Sequence, residues 1–178
     1  MKAQYFVALV LPGALDREIQ SFKEDIATRF HSKSPLRSPA HITLVPPFHF
    51  PRDGERRLEA ALEDAAKSYQ PFEVSLEGFD HFSNSTLFIR VLNNEKLDLF
   101  FTSTKKVFNE IVPLRKRQDR KFHPHVTIGN RDWTPAHFRQ AWQEYGQREF
   151  KSTFSAEKIS LLRLAERWQI IADASLEY

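Results

Sequence analysis

The sequence predicts an α+β fold: two lobes of antiparallel sheet with outer helices, arranged as a pseudo-repeat around a central groove. Three observations carry this. Short β-rich apolar runs are interleaved with stretches of helical spacing. The order strand, helix, loop, short strand, helix, strand occurs twice. The tetrapeptides His41-Ile42-Thr43-Leu44 and His125-Val126-Thr127-Ile128 occupy corresponding places, 84 residues apart. We read residues 1–178 as one bilobal unit with lobe segments of roughly 1–80 and 81–178. A chain of this length can bury well over half of its unfolded surface, and its 16 phenylalanines supply core material.

Taken in order, residues 3–11 (AQYFVALVL) are an apolar strand stopped by Pro12-Gly13. Leu15, Ile19, Phe22, Ile26 and Phe30 then recur at helical spacing. A loop with Pro35 and Pro39 leads into HITLV, a short strand that Pro46-Pro47 should close. Leu58, Leu62, Ala65 and Tyr69 mark one face of a helix over 54–69. FEVSLEGF alternates Phe72, Val74 and Leu76 with polar residues until Gly78 shifts the phase, as a bulge would. The second round begins with TLFIRVL, residues 86–92, and a helix marked by Leu97, Phe100, Phe101, Val107, Phe108 and Ile111. After HVTI, Thr134-Pro135 supplies an N-cap and first-turn proline for a helix through Phe138, Trp142 and Tyr145. Two strands, roughly 154–164 and 167–176, end the chain.

With 41% hydrophobic and 28% charged residues the chain is a soluble globular type, and a disordered one is excluded. The absence of cysteine excludes disulfides, thiolate metal sites and a cysteine nucleophile, and fits a reducing compartment. The first apolar run, Tyr5 to Leu11, is seven residues long, and no segment approaches the ~20 apolar residues of a membrane span. A cytoplasmic monomer without membrane contact is therefore expected. The net charge of +3 permits an anionic partner. Arg115, Lys116, Arg117, Arg120 and Lys121 place five cations in seven positions just before the second motif.

Along a strand successive side chains alternate in direction, so His41 and Thr43 share one face while Ile42 and Leu44 share the other. The aliphatic face belongs to a core. The other presents an imidazole and a hydroxyl about 7 Å apart, and His125 with Thr127 repeats it. Facing each other across a groove, these groups suit phosphodiester chemistry. One neutral imidazole takes a proton from the attacking oxygen and the other, protonated, delivers one to the leaving oxygen. The threonines can donate to the non-bridging oxygens, where charge concentrates in the transition state. No metal or other cofactor is required.

The two motifs, with the flanking PAHITLVPPF and FHPHVTIGN, resemble the 2H phosphoesterase superfamily, which includes bacterial 2'-5' RNA ligases and cyclic nucleotide phosphodiesterases. The resemblance extends, through the order of elements, over nearly the whole chain. It implies a bilobal fold with a central groove, metal-independent making or breaking of 2',3'-cyclic phosphate linkages, and His41, Thr43, His125 and Thr127 as the site. Some ligase-type members carry an arginine five residues after the second histidine; here that position is Asn130, with Arg131 next.

Further substrate contacts are expected from Arg90, Phe6, Phe48, Phe88 and Arg131. In TLFIRVL the apolar face is Leu87, Ile89 and Val91, which turns Phe88 and Arg90 the other way. The 84-residue correspondence lays Phe6 on Arg90. An arginine can hold a phosphate bidentately and a phenylalanine can stack on a base; packing is the competing role for both phenylalanines. Phe48 can wall the groove or anchor a Pro-Pro turn. His123 and His125 form an H-x-H pair, but nothing nearby recurs at metal-ligand spacing, so no metal is assigned. His31, His49, His81 and His137 are read as surface or structural residues.

The function expected is a phosphoesterase acting on 2',3'-cyclic phosphates of RNA ends or of small nucleotides. With a 5'-hydroxyl in place of water the same groups would ligate RNA ends. A non-catalytic RNA-binding module is the alternative from another class.

Overall fold

Two four-stranded antiparallel sheets organise the protein, and the computed structural model describes residues 1–114 and 121–177 of it. The first sheet has the order β2-β1-β7-β8, formed by β1 (Lys2–Val10), β2 (His41–Pro51), β7 (Lys158–Leu164) and β8 (Trp168–Ser175). The second has the order β5-β4-β3-β6, formed by β3 (Phe72–Phe82), β4 (Thr86–Val91), β5 (His125–Asn130) and β6 (Lys151–Ala156). Each sheet thus carries one histidine motif on an edge strand, β2 or β5. The α+β expectation holds, and one continuous core runs between both inner sheet faces and the helices.

Four helices cover the sheets: α1 (Gly13–Phe30), α2 (Glu55–Ala66), α3 (Glu95–Asn109) and α4 (Pro135–Tyr145). Their predicted apolar stripes face the core: Leu15, Ile19, Ile26 and Phe30 of α1 are all at most 8% exposed, while Phe22 of α1 and Phe101 and Val107 of α3 are partly buried against it. The Thr134 hydroxyl accepts from the His137 N–H and Pro135 opens α4, as the sequence predicts. Helix and sheet are exchanged between the repeats. α1, which follows β1, packs against β5 and α4, while α3 packs on α2 and β2.

Three expectations are corrected. β2 does not stop at Pro46-Pro47 but runs on to Pro51. It is an edge strand, where a missing N–H is tolerated, and the register shift between Tyr5 and Val7 absorbs the two prolines. The strand expected over 154–164 is two strands, β6 pairing with β3 and β7 with β1, so the chain changes sheets at Glu157. The first sheet therefore takes strands from both ends of the chain, and a boundary near residue 80 does not separate the two sheets. The Gly78 bulge is present: its φ is +70°, its N–H reaches the Phe150 carbonyl at 2.8 Å, and the β3–β4 register shifts there. Of the basic cluster, Arg115, Lys116, Arg117 and Arg120 lie outside the described residues, and Lys121 is exposed. Among the described residues no helix is long and apolar enough to cross a membrane.

Candidate active site

Both motif histidines open a strand, and both are held by the same local device. His41 Nδ1 lies 2.7 Å from the carbonyl of Pro39, and His125 Nδ1 lies 2.8 Å from the carbonyl of His123. A carbonyl can only accept, so Nδ1 carries the proton in each ring and Nε2 is left as the free basic nitrogen. Behind them Ile42, Leu44, Val126 and Ile128 are at most 1% exposed and tie each strand to the core. The alternation read from the sequence thus turns each imidazole and its hydroxyl to the strand face opposite the core.

The edges β2 and β5 lie side by side where the two sheets meet. There a cavity of about 300 Å³ is lined by His41, Thr43 and Thr127, together with Arg37, Asn130 and Trp168. His125 stands just beyond Thr127 on the same face of β5, outside that lining but close enough for its charge to act on His41. The rings of Phe82 and Phe88 pack against it, with centroids 4.9 and 5.1 Å from the imidazole.

Burial dominates the electrostatics. It drives His41 down to about 4 from its ordinary value, with the charges of Lys23 and His125 pushing the same way and the Pro39 hydrogen bond opposing. His125 is also lowered, by burial and then by His123. Lys23, on α1, is 1% exposed, and burial brings its ammonium down to about 8. It donates to the carbonyls of Pro35 and Ser38, both at 3.0 Å.

The His41 shift has a stability consequence. Below the ordinary value of 6.5 the unfolded chain takes up a proton that folded His41 refuses until about pH 4. Stability is therefore complete above 6.5 and is lost as pH falls from 6.5 towards 4. Urea unfolding at pH 7 and pH 4.5 should show a loss of about 2 kcal/mol from this group. His41→Gln should lose correspondingly less over the same interval. Equal losses in both proteins would show that His41 titrates normally.

The site is part of a recognisable whole. Residues 11–168 match the family model of the 2'-5' RNA ligase superfamily. The chain belongs to this superfamily. The expectation of a 2H-type enzyme, drawn from the two H-x-T motifs, is thereby met. The chain is 30% identical over 139 residues to an RNA 2',3'-cyclic phosphodiesterase of Methanothermobacter thermautotrophicus, covering 72% of this chain and 71% of that protein. Its fold is similar to E. coli LigT crystallised with 3'-AMP, with a TM-score of 0.72 at 14% identity over all of both chains. It is also similar to TT0787 of Thermus thermophilus, with a TM-score of 0.66 at 18% identity over 97% of each chain.

In this 2'-5' RNA ligase superfamily member the other expected contacts are placed unevenly. Phe6 lines the cavity, its ring wedged between His41 at 4.7 Å and Trp168 at 4.6 Å. Phe88 is fully buried against His125 and Phe82, so it backs an imidazole and does not face the cavity. Phe48 belongs to the core, stacked on Tyr5 at 5.9 Å, and Pro47 takes its place in the cavity wall. Arg90 pairs with His125 across the strands, but its Nε donates to the Glu77 carbonyl at 2.9 Å and its guanidinium lies over Gly78, away from the cavity. Arg131 is an exposed left-handed turn residue, φ +55°, whose N–H bonds the Ser85 carbonyl; it does not line the cavity, whereas Asn130 does.

The strand ladder also replaces the 84-residue correspondence on the neighbouring strands. His41 stands opposite Val10 and His125 opposite Arg90, so Val10, not Phe6, matches Arg90. The register shifts differ, falling between Tyr5 and Val7 and again between Val7 and Ala8 in one sheet, and between Leu87 and Phe88 in the other. Sequence reasoning missed Arg37 and Trp168. Trp168 opens a strand at a hairpin turn, and Arg37 ends a short 3₁₀ turn, Ser34–Arg37, that no periodicity announces. Among the described residues no three His, Asp or Glu groups gather as metal ligands. His123 instead lends its carbonyl to His125.

Proposed function

We propose that the protein opens 2',3'-cyclic phosphates, at RNA ends or in nucleotides, by metal-free general acid–base catalysis. The observation that carries this is the duplicated Nδ1–carbonyl lock, which leaves two free Nε2 atoms beside two threonine hydroxyls. Water attacks phosphorus while neutral His41 takes its proton, and His125, as imidazolium, protonates the departing ribose oxygen. His41 suits the base role because burial and the nearby Lys23 charge keep it unprotonated. His125 is depressed less, and a bound phosphate's negative charge favours its protonated form. Thr43 and Thr127 donate to the non-bridging oxygens as charge builds there. The substrate named for the archaeal relative supports this choice. Both histidines come from one chain, so a monomer suffices, and a cysteine-free chain suits the cytoplasm.

The family description keeps a second reading in view: with a 5'-hydroxyl replacing water, the same groups would join RNA ends through a 2'-5' bond. The test is turnover of the four nucleoside 2',3'-cyclic monophosphates, with and without excess EDTA. Turnover unchanged by the chelator is expected. In the free enzyme the base must be unprotonated and the acid protonated, so kcat/KM should peak between about 4 and the ordinary imidazole value of 6.5. Loss of turnover with EDTA would refute the metal-free route. No product from these substrates, nor from RNA ends offered a 5'-hydroxyl fragment, would leave an RNA-binding module.

A further inference from the structure

A cyclic phosphodiester carries a negative charge, and the groups assigned to it so far supply hydroxyls and titrating imidazoles but no permanent cation. Arg37 is the sole lysine or arginine among the described residues lining the cavity. Lys23 sits behind the wall with its ammonium committed to two carbonyls. Arg90 and Arg131, the cations expected from the sequence, do not line the cavity, and the Arg90 Nε is committed to the Glu77 carbonyl.

Arg37 itself is exposed and only lightly held. Its Nε and Nη2 both reach one neutral acceptor, the Glu166 carbonyl, at 3.3 Å each, and it forms no ion pair among the described residues. Its charge is therefore not neutralised, and the fork geometry that fits a phosphate is available.

The turn that presents it is, by contrast, firmly built. Lys23 pins the carbonyls of Pro35 and Ser38, on either side of Arg37. Asp132, just past β5, accepts from the Ser32 hydroxyl at 2.6 Å and from the Lys33 and Ser34 N–H groups at 2.9 and 2.8 Å. The Ser34 hydroxyl donates to the Asn130 carbonyl at 2.9 Å, and Arg167 Nη2 donates to the Leu36 carbonyl at 2.6 Å. Burying an ammonium is costly unless it is well paired, and here it fixes an otherwise ordinary surface turn. A rigid turn carrying a loosely held, unneutralised guanidinium at a cavity mouth is the arrangement expected of a ligand contact.

We infer that Arg37 is the phosphate-binding cation of this site, its guanidinium leaving the Glu166 carbonyl to grip the non-bridging oxygens of the bound phosphodiester from across the groove. The inference rests on the phosphoesterase reading, and a binding measurement separates the two. Arg37→Gln and Arg37→Lys would be compared with wild type for kcat and KM on a 2',3'-cyclic nucleotide, and for calorimetric affinity towards adenosine 3'-monophosphate. Thermal unfolding would verify folding; an exposed side chain should leave it unchanged.

Arg37→Gln is expected to weaken 3'-monophosphate binding and lower kcat/KM by about 30-fold or more, as loss of a charge-assisted pair does. Arg37→Lys should fall between, keeping the charge without the fork. If wild type turns over substrate and Arg37→Gln stays within about twofold in both readouts, well below one such contact, the Arg37 assignment is wrong. If wild type turns over nothing yet binds the nucleotide in an Arg37-dependent way, the catalytic reading falls and the contact stands. If wild type neither turns over nor binds, both are overturned.

Discussion

Replacing either His41 or His125 by alanine is expected to lower kcat by about 10³-fold or more, the scale on which a positioned general acid or base contributes. The two substitutions should differ in what they leave behind. Without His125 the alkaline-side fall of the pH profile should vanish, because the residue whose deprotonation causes it is gone. Without His41 the acid-side rise, centred near 4, should vanish instead. Both proteins should fold, since the adjoining aliphatic residues hold the strands. The measurement is steady-state kinetics on a cyclic nucleotide from pH 4 to 8 for the three proteins. Reversal of the two profiles would exchange the acid and base assignments; retention of wild-type kcat in either variant would end the two-histidine mechanism.

The threonines should come next in size. Thr43→Val and Thr127→Val keep the shape of the side chain and delete only the donor, so each should cost about 10²-fold in kcat with a smaller change in KM. Thr→Ser at either position should recover most of the loss because the hydroxyl returns. A fall confined to KM would mean that the hydroxyls bind the ground state and the transition state alike. No fall at all would make them structural, leaving Arg37 to carry the oxyanion alone.

What the sequence made legible was whatever depends on local repetition. Strand alternation placed His41, Thr43, His125 and Thr127 on one side and their aliphatic neighbours on the other, and those neighbours are the buried ones. Helical spacing found all four helices, and Gly78 announced its bulge. What escaped was decided by partners distant in the chain. The break at Glu157 exists because β6 finds β3 and β7 finds β1, a choice between two edges that 154–164 does not encode by pattern. Arg90 fitted every rule for a groove residue, but the bulge at Gly78 offered its guanidinium a carbonyl on the neighbouring strand. Arg37 was invisible for the opposite reason. Its turn owes its shape to Lys23, Asp132 and Arg167, residues brought from three other parts of the fold.

The crossover at Glu157 also fixes when in its synthesis the protein can begin to work. The second sheet draws every strand from residues 72–156, its widest pairing joining Phe72 to Ala156. The first sheet must wait longer, because Tyr5 pairs with Arg163 and β1 has an open edge until β7 arrives. Such distant pairings form slowly compared with local ones. On a growing chain the strands around His125 can therefore all be present while His41 has only the neighbouring strand β1 to pair with. A chain halted at Glu157 would own both histidines, both threonines and Arg37, yet lack β7, Trp168 and the Glu166 carbonyl that steadies the guanidinium. The assembled site therefore waits for the last strands of the first sheet.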